Sequence, residues 1–124
     1  MEKPVILYVD DDHDLLQAFK IGLEDRGYTI LPAESGDEAL VVLKTNTPDL
    51  IIADLRMQPM NGFDLFQNVR KNAKHAKIPF FFLTAVDDFL AQKYGQKLGV
   101  DAYITKPVDL DNLDAIISTK LAEK

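Results

Sequence analysis

Short unbroken apolar runs, each ending on a polar or charged group, constrain this chain more than any other feature. Val5-Ile6-Leu7-Tyr8-Val9 ends in Asp10-Asp11-Asp12, and Leu50-Ile51-Ile52-Ala53 ends in Asp54. Phe80-Phe81-Phe82-Leu83 ends in Thr84, and the shorter Ala102-Tyr103-Ile104-Thr105 ends in Lys106-Pro107. Runs of this length without alternation read as strands buried on both faces, the habit of a parallel sheet. In an open parallel sheet the carboxyl ends of the strands share one edge, where ligands bind. Groups far apart in sequence are therefore expected to converge there.

Between the runs lie segments of helical periodicity. From Asp14 to Arg26, residues Leu15, Ala18, Phe19, Gly22 and Leu23 follow i, i+3, i+4 spacing, and Gly27 is a natural stop. Ser35-Gly36-Asp37-Glu38 has capping-box spacing ahead of Ala39, Leu40 and Leu43. A third helix follows Asn61-Gly62 on Phe63, Phe66 and Val69 or Arg70. Leu90, Tyr94 and Leu98 mark a fourth, stopped by Gly99, with Gly95 weakening it by about 1 kcal/mol relative to Ala. Leu110, Leu113, Ile117 and Leu121 mark a fifth, capped by Asp109. With a further strand from Tyr28 to Leu31, before Pro32, the pattern is strand then helix repeated five times. That is an α/β fold with helices on both faces of a parallel sheet. One domain over residues 1–124 is expected, with nothing left for a second.

Bulk properties narrow the partners. A net charge of −6 argues against direct binding to nucleic acid or an anionic membrane. No apolar stretch approaches membrane-spanning length, and no basic start leads into an apolar signal region. The absence of cysteine removes disulfides, thiolate chemistry and Cys-type zinc sites. The cytoplasm is the expected location.

Three consecutive aspartates after a buried strand are costly unless compensated. Two carboxylates about 4 Å apart repel by roughly 4 kcal/mol at an effective dielectric of about 20, enough to raise one pKa by about three units. A cation between them removes the conflict. Asp54 from a neighbouring strand adds to the cluster, and Mg²⁺ is the hard cation that such oxygen donors suit. An EF-hand is excluded, because its central Gly and final Glu are absent. Individually these residues have plainer readings. Asp12 or Asp14 reads as a helix N-terminal residue, Asp54 as a loop or cap residue, Thr84 as a strand residue and Lys106 as a solvated charge. Jointly, carboxylate, hydroxyl and ammonium form a phosphoryl-transfer site. An aspartate can accept the phosphoryl group, while Mg²⁺, Lys106 and Thr84 share its charge. Ala85 leaves room for the group. His13 and His75 read as surface histidines.

These elements carry a family resemblance. Val9-Asp10-Asp11-Asp12, Asp54-Leu55-Arg56-Met57, Met60-Asn61-Gly62, Leu83-Thr84-Ala85, Gly99-Val100-Asp101-Ala102-Tyr103 and Thr105-Lys106-Pro107 stand in the order and spacing of one family. From Val5 to Leu121 the chain resembles a receiver domain of two-component response regulators. The resemblance implies a doubly wound, flavodoxin-like sheet of five strands in the order 2-1-3-4-5 with five helices. It implies that Asp54 accepts a phosphoryl group from the phosphohistidine of a sensor histidine kinase or phosphotransfer protein. Asp11 and Asp54 would bind Mg²⁺ directly, Asp10 through water and Arg56 through its backbone carbonyl. Lys106 would pair with the phosphoryl oxygens, Thr84 would move towards them, and Tyr103 would swing into the space left behind. The surface of the fourth helix, fifth strand and fifth helix would then change for an unknown downstream protein, or for a second copy as a phosphorylation-dependent homodimer. Beyond its own phosphotransfer and autodephosphorylation no enzyme activity is implied. Lys106-Pro107 is a cis bond in the family.

Tyr103 has an equally plain reading as an edge-strand aromatic packed on the fourth helix. A Mg²⁺-dependent aspartyl-phosphate phosphohydrolase shares the chemical set, yet needs a second Asp where Arg56 stands. A flavodoxin needs a hydroxyl- and glycine-rich phosphate loop, where three aspartates would repel the phosphate. A receiver that docks without switching is the remaining alternative. One departure from the family is plain: Gln58 intervenes between Met57 and Pro59, where the family places proline directly after methionine. The Asp54-to-Gly62 spacing is unchanged, so a redirected loop rather than a lost site is expected.

Overall fold

The computed structural model describes residues 3–85, 88, 93 and 97–123. The apolar runs form strands β1 (Val5–Val9), β2 (Thr29–Ala33), β3 (Leu50–Asp54), β4 (Phe80–Ala85) and β5 (Ala102–Lys106). All pair in parallel, in the order β2-β1-β3-β4-β5. The central β3 is buried at every position, as its unbroken apolar run requires. β2 starts one residue later than expected and runs through Pro32, which lies opposite Tyr8. Proline is tolerated there because β2 is an edge strand.

Helices α1 (His13–Asp25) and α2 (Gly36–Leu43) follow the first two strands, α3 (Gly62–Lys71) follows β3, and α4 (Leu110–Ala122) follows β5. The helix expected around Leu90, Tyr94 and Gly95 falls on positions outside the described residues, so α4 is the fifth of the expected series. The helix starts are set by side chains that satisfy orphan N–H groups. Asp12 accepts from the Leu15 N–H, Ser35 from Glu38, and Asp109 from Asp111. Asn61 and Asp64 form a reciprocal capping box on α3.

Strand alternation divides the core into two layers. One face carries Leu7, Ile51, Phe80 and Phe82 against Ala39 and Leu43 of α2 and Leu65, Phe66 and Val69 of α3. The other carries Ile6, Tyr8, Ile52, Phe81 and Ile104 against Leu16, Phe19 and Leu23 of α1 and Leu113 and Ile117 of α4. In α1 the buried stripe uses Leu16 where Leu15 was expected, and Ala18 is exposed. The helix is rotated slightly about its axis, to stack Phe19 on Tyr8 with ring centroids 5.7 Å apart.

His75 departs from its expected surface position. It is buried, 4% exposed, with Nε2 lacking a hydrogen-bond partner among the described residues. A turn after α3 draws it in, its N–H donating to the Asn72 carbonyl at 2.9 Å. His13 is exposed and meets Glu34 at 3.1 Å, as a surface histidine should.

Candidate functional site

The carboxyl ends of β1, β3, β4 and β5 bring together residues that lie almost a whole chain apart. Parallel register sets Asp54 opposite Leu83 and Ala85 opposite Lys106, one residue beyond Thr84. Asp10 leaves β1 just after its last residue, its N–H donating to the Ala33 carbonyl at 3.1 Å. Two buried aspartates thus stand side by side at a sheet edge, with Asp11 exposed beside them.

Asp54 is held at both oxygens. Its Oδ1 accepts the Arg56 N–H at 3.1 Å and its Oδ2 meets Lys106 Nζ at 2.8 Å. Burial works to lower the Lys106 pKa, but the hydrogen bond to Asp54 and the fields of Asp54, Asp10 and Asp11 outweigh it and raise the value above the lysine norm. Lys106 therefore stays charged at neutral pH.

Asp10 is the strained member. Its Oδ1 accepts the Asp12 N–H at 3.0 Å, while Oδ2 is buried with no partner among the described residues. Burial pushes its carboxyl up to about 6, opposed by the Asp12 N–H and reinforced by Asp54. An unpartnered, fully buried carboxylate oxygen is a costly arrangement that a cation would relieve. Carboxylate oxygens of Asp10, Asp11 and Asp54 all lie within 4.8 Å of one another. The donor set is all oxygen and strongly negative, which fits a hard divalent ion such as Mg²⁺.

Thr84 is buried at the end of β4, and among the described residues its hydroxyl reaches the Ala85 carbonyl at 3.4 Å. That is long for an O–H···O bond, so this contact holds the hydroxyl weakly. Tyr103 lies on β5 opposite Phe82, its ring centroid 5.7 Å from that of Phe82. Its hydroxyl is buried without a partner among the described residues, and burial pushes its pKa up to about 12. By strand alternation Thr84 and Tyr103 project from the same face of the sheet.

The loop after Asp54 closes despite the Gln58-Pro59 departure. Leu55 and Met57 are buried, and the Gly62 N–H donates back to the Leu55 carbonyl at 2.9 Å. Both Gln58-Pro59 and Lys106-Pro107 are cis, the second as the resemblance implied. Sequence reading missed three parts of this frame. A Cβ on Gly62 would sit 2.9 Å from the Asp54 carbonyl oxygen and from Leu55 Cα, so this glycine lets α3 start against the end of β3. A Cβ on Gly36 would meet Met60 Sδ at 2.5 Å, so Met60 seats the loop on α2. The Arg56 side chain pairs with Asp88, both Nε and the Nη2 nitrogen lying 2.8 Å from Oδ2. The two glycines were visible in sequence, but the atoms crowding them were not.

Comparison with known proteins gives the same picture from a different direction. The model of the response regulator receiver domain matches residues 6–118. The chain is 34% identical over 121 residues to the probable transcriptional regulator ycf27 of Porphyridium aerugineum, covering 98% of this chain and 49% of that protein. It is 32% identical over 117 residues to protein PilH of Pseudomonas aeruginosa, covering 94% of this chain and 97% of PilH. The solved structure of chemotaxis response regulator CheY4 of Vibrio cholerae is 27% identical, with a TM-score of 0.87 over 94% of this chain and 98% of that one. The chain spans half or less of the length of the transcriptional regulators among its curated relatives, from 26% to 50%. With the five-stranded 2-1-3-4-5 sheet and its family match over most of its length, the chain belongs to the response regulator receiver domains of two-component systems, a family whose typical role is phosphoacceptor.

Proposed function

We propose that Asp54 is the phosphoacceptor of this receiver domain, charged by the phosphohistidine of a sensor histidine kinase or phosphotransfer protein. The observation that carries the reading is the Lys106 ammonium 2.8 Å from Asp54 Oδ2, at the rim of a three-aspartate cluster. The Asp54 carboxylate attacks phosphorus, the bond from phosphorus to the donor breaks, and its electron pair leaves with the donor. Lys106 already sits on the acceptor and is placed to take charge from the incoming oxygens. Thr84 supplies a hydroxyl that is weakly held and able to turn towards them.

Asp10, Asp11 and Asp54, with the Arg56 backbone carbonyl, are the residues that would hold Mg²⁺. Bound there, the ion supplies positive charge that offsets the clustered carboxylates and the phosphoryl oxygens. The buried, unpartnered Asp10 Oδ2 supports this assignment.

The output is a surface change rather than turnover of a substrate. Phosphorylation raises local negative charge and adds strong acceptor oxygens in a confined site. Thr84 and Tyr103, on one face of the sheet, are the switch pair of this reading, and a downstream protein or a second copy reads the face that includes β5 and α4. Arg56 stands where a phosphohydrolase of similar chemistry needs an acid, which favours a receiver over that enzyme. Among the described residues no helix is long and apolar enough to cross a membrane. The reading places the chain in the cytoplasm as one domain.

Incubation with Mg²⁺ and acetyl phosphate, followed by intact-mass measurement, tests the assignment. Wild type should gain one acid- and base-labile phosphoryl group and Asp54→Asn none. Equal uptake by the variant would move the acceptor elsewhere.

A further inference from the structure

The Arg56–Asp88 pair spans the two segments that carry the acceptor and the hydroxyl. Arg56 lies two residues after Asp54 and holds that carboxylate through its own N–H. Asp88 lies four residues after Thr84, and its N–H donates to the Ala85 carbonyl at 3.1 Å, tying it to the end of β4. Between them the guanidinium places Nε and Nη2 each 2.8 Å from one oxygen of Asp88. The Arg56 side chain is 73% exposed, whereas that of Asp88 is 10% exposed. The pair is thus sheltered on its Asp88 side, which marks it as more than an accidental surface contact.

Resting on the Asp54 reading, we propose that Arg56 is a second cation for the phosphoryl group, held in reserve by Asp88. A phosphoryl group on Asp54 presents about two negative charges and three terminal oxygens, two of which can take parallel N–H bonds from the planar guanidinium. Asp88 offers one charge and meets the guanidinium through one of its two oxygens, so the more highly charged newcomer outcompetes it. Arg56 then changes partner, and Asp88 loses its tie to the loop after Asp54. The same exchange gives Asp88 a second effect. While paired, it neutralises the cation that would otherwise draw an anionic donor to the pocket mouth, so it slows phosphoryl entry.

The test uses acetyl phosphate with Mg²⁺. Asp54 forms a bond to phosphorus, the phosphorus–oxygen bond to acetate breaks, and acetate leaves with the electron pair. The rate of phosphorylation is measured for wild type, Asp88→Asn, Arg56→Gln and the double variant, at low and high ionic strength. Asp88→Asn should react about three- to tenfold faster at low salt, with the gain shrinking as salt screens Arg56. Arg56→Gln should react more slowly, and adding Asp88→Asn to it should change nothing further. Arg56→Lys should recover part of the rate, because charge is kept while the planar fork is lost. An Asp88→Asn rate equal to wild type, or a gain that persists without Arg56, overturns the proposal. A change in melting temperature alone, with unchanged rates and salt dependence, makes the pair a structural tie and overturns it too. Wild type that takes up no phosphoryl group at all overturns the Asp54 reading and this inference with it.

Discussion

At the scale of single residues, Asp10 shows how a site can be written into a fold at the expense of stability. Its carboxyl is fully buried, one oxygen has no partner among the described residues, and its pKa is pushed up to about 6, chiefly by burial. A folded-state pKa above the ordinary value of 3.8 means that the native state binds the proton more tightly than the unfolded chain. The stability from this group is therefore complete below about pH 4 and is lost as pH rises through about 6. Without divalent ion, Asp10→Asn should stabilise the fold by about 1–3 kcal/mol at pH 8, with the gain vanishing at pH 4. Urea unfolding in the presence of chelator at the two pH values measures it. A variant less stable than wild type at both would show that the Asp10 carboxylate is well solvated after all.

At the scale of elements, the loop between β3 and α3 decides whether the chemistry is correctly placed. It must leave Asp54, bury Leu55 and Met57, set Met60 on Gly36 and start α3 at Gly62. Gly62 is the tightest point, because an added methyl would meet backbone atoms of Asp54 and Leu55 that cannot step aside. Gly62→Ala should cost about 1–3 kcal/mol in stability and weaken Mg²⁺ binding severalfold, since relief must come from moving β3 or the loop. Urea unfolding and a Mg²⁺ titration would check both, and a neutral variant would mean the loop is soft. The Gln58-Pro59 departure shows the converse. The proline is displaced by one position, yet the Gly62 N–H still closes on Leu55, so the ends of the loop matter more than its middle.

At the scale of the whole molecule, the acidic edge links metal, proton and fold. An ion held by Asp10, Asp11 and Asp54, as proposed, would bind the native chain alone, since the unfolded chain scatters the three groups over 45 positions of sequence from Asp10 to Asp54. Free Mg²⁺ at about a hundredfold its dissociation constant should raise the unfolding free energy by about 2.7 kcal/mol. Chelation should reverse the gain, and Asp11→Asn should reduce it. The affinity should fall as pH drops through about 6, because the proton then taken up by Asp10 competes with the ion. A melting curve indifferent to Mg²⁺ at pH 8 would count against the metal site. Much of this architecture was legible beforehand. Unbroken runs such as Leu50–Ala53 specify doubly covered strands, helical periods between them specify parallel connections, and parallel strands must end at a common edge. The chemical types at that edge, Asp10, Asp54, Thr84 and Lys106, were therefore readable from sequence, because each simply follows its strand. Tertiary structure alone decided what each side chain meets: that Asp10 Oδ2 lacks a partner among the described residues, that Arg56 turns to Asp88, that His75 is drawn inside, and that Gly36 and Gly62 are crowded by neighbours. Periodicity reports which face a residue occupies, but burial, pairing and close approach depend on atoms supplied by distant segments, and these exist as an environment only once the chain has folded.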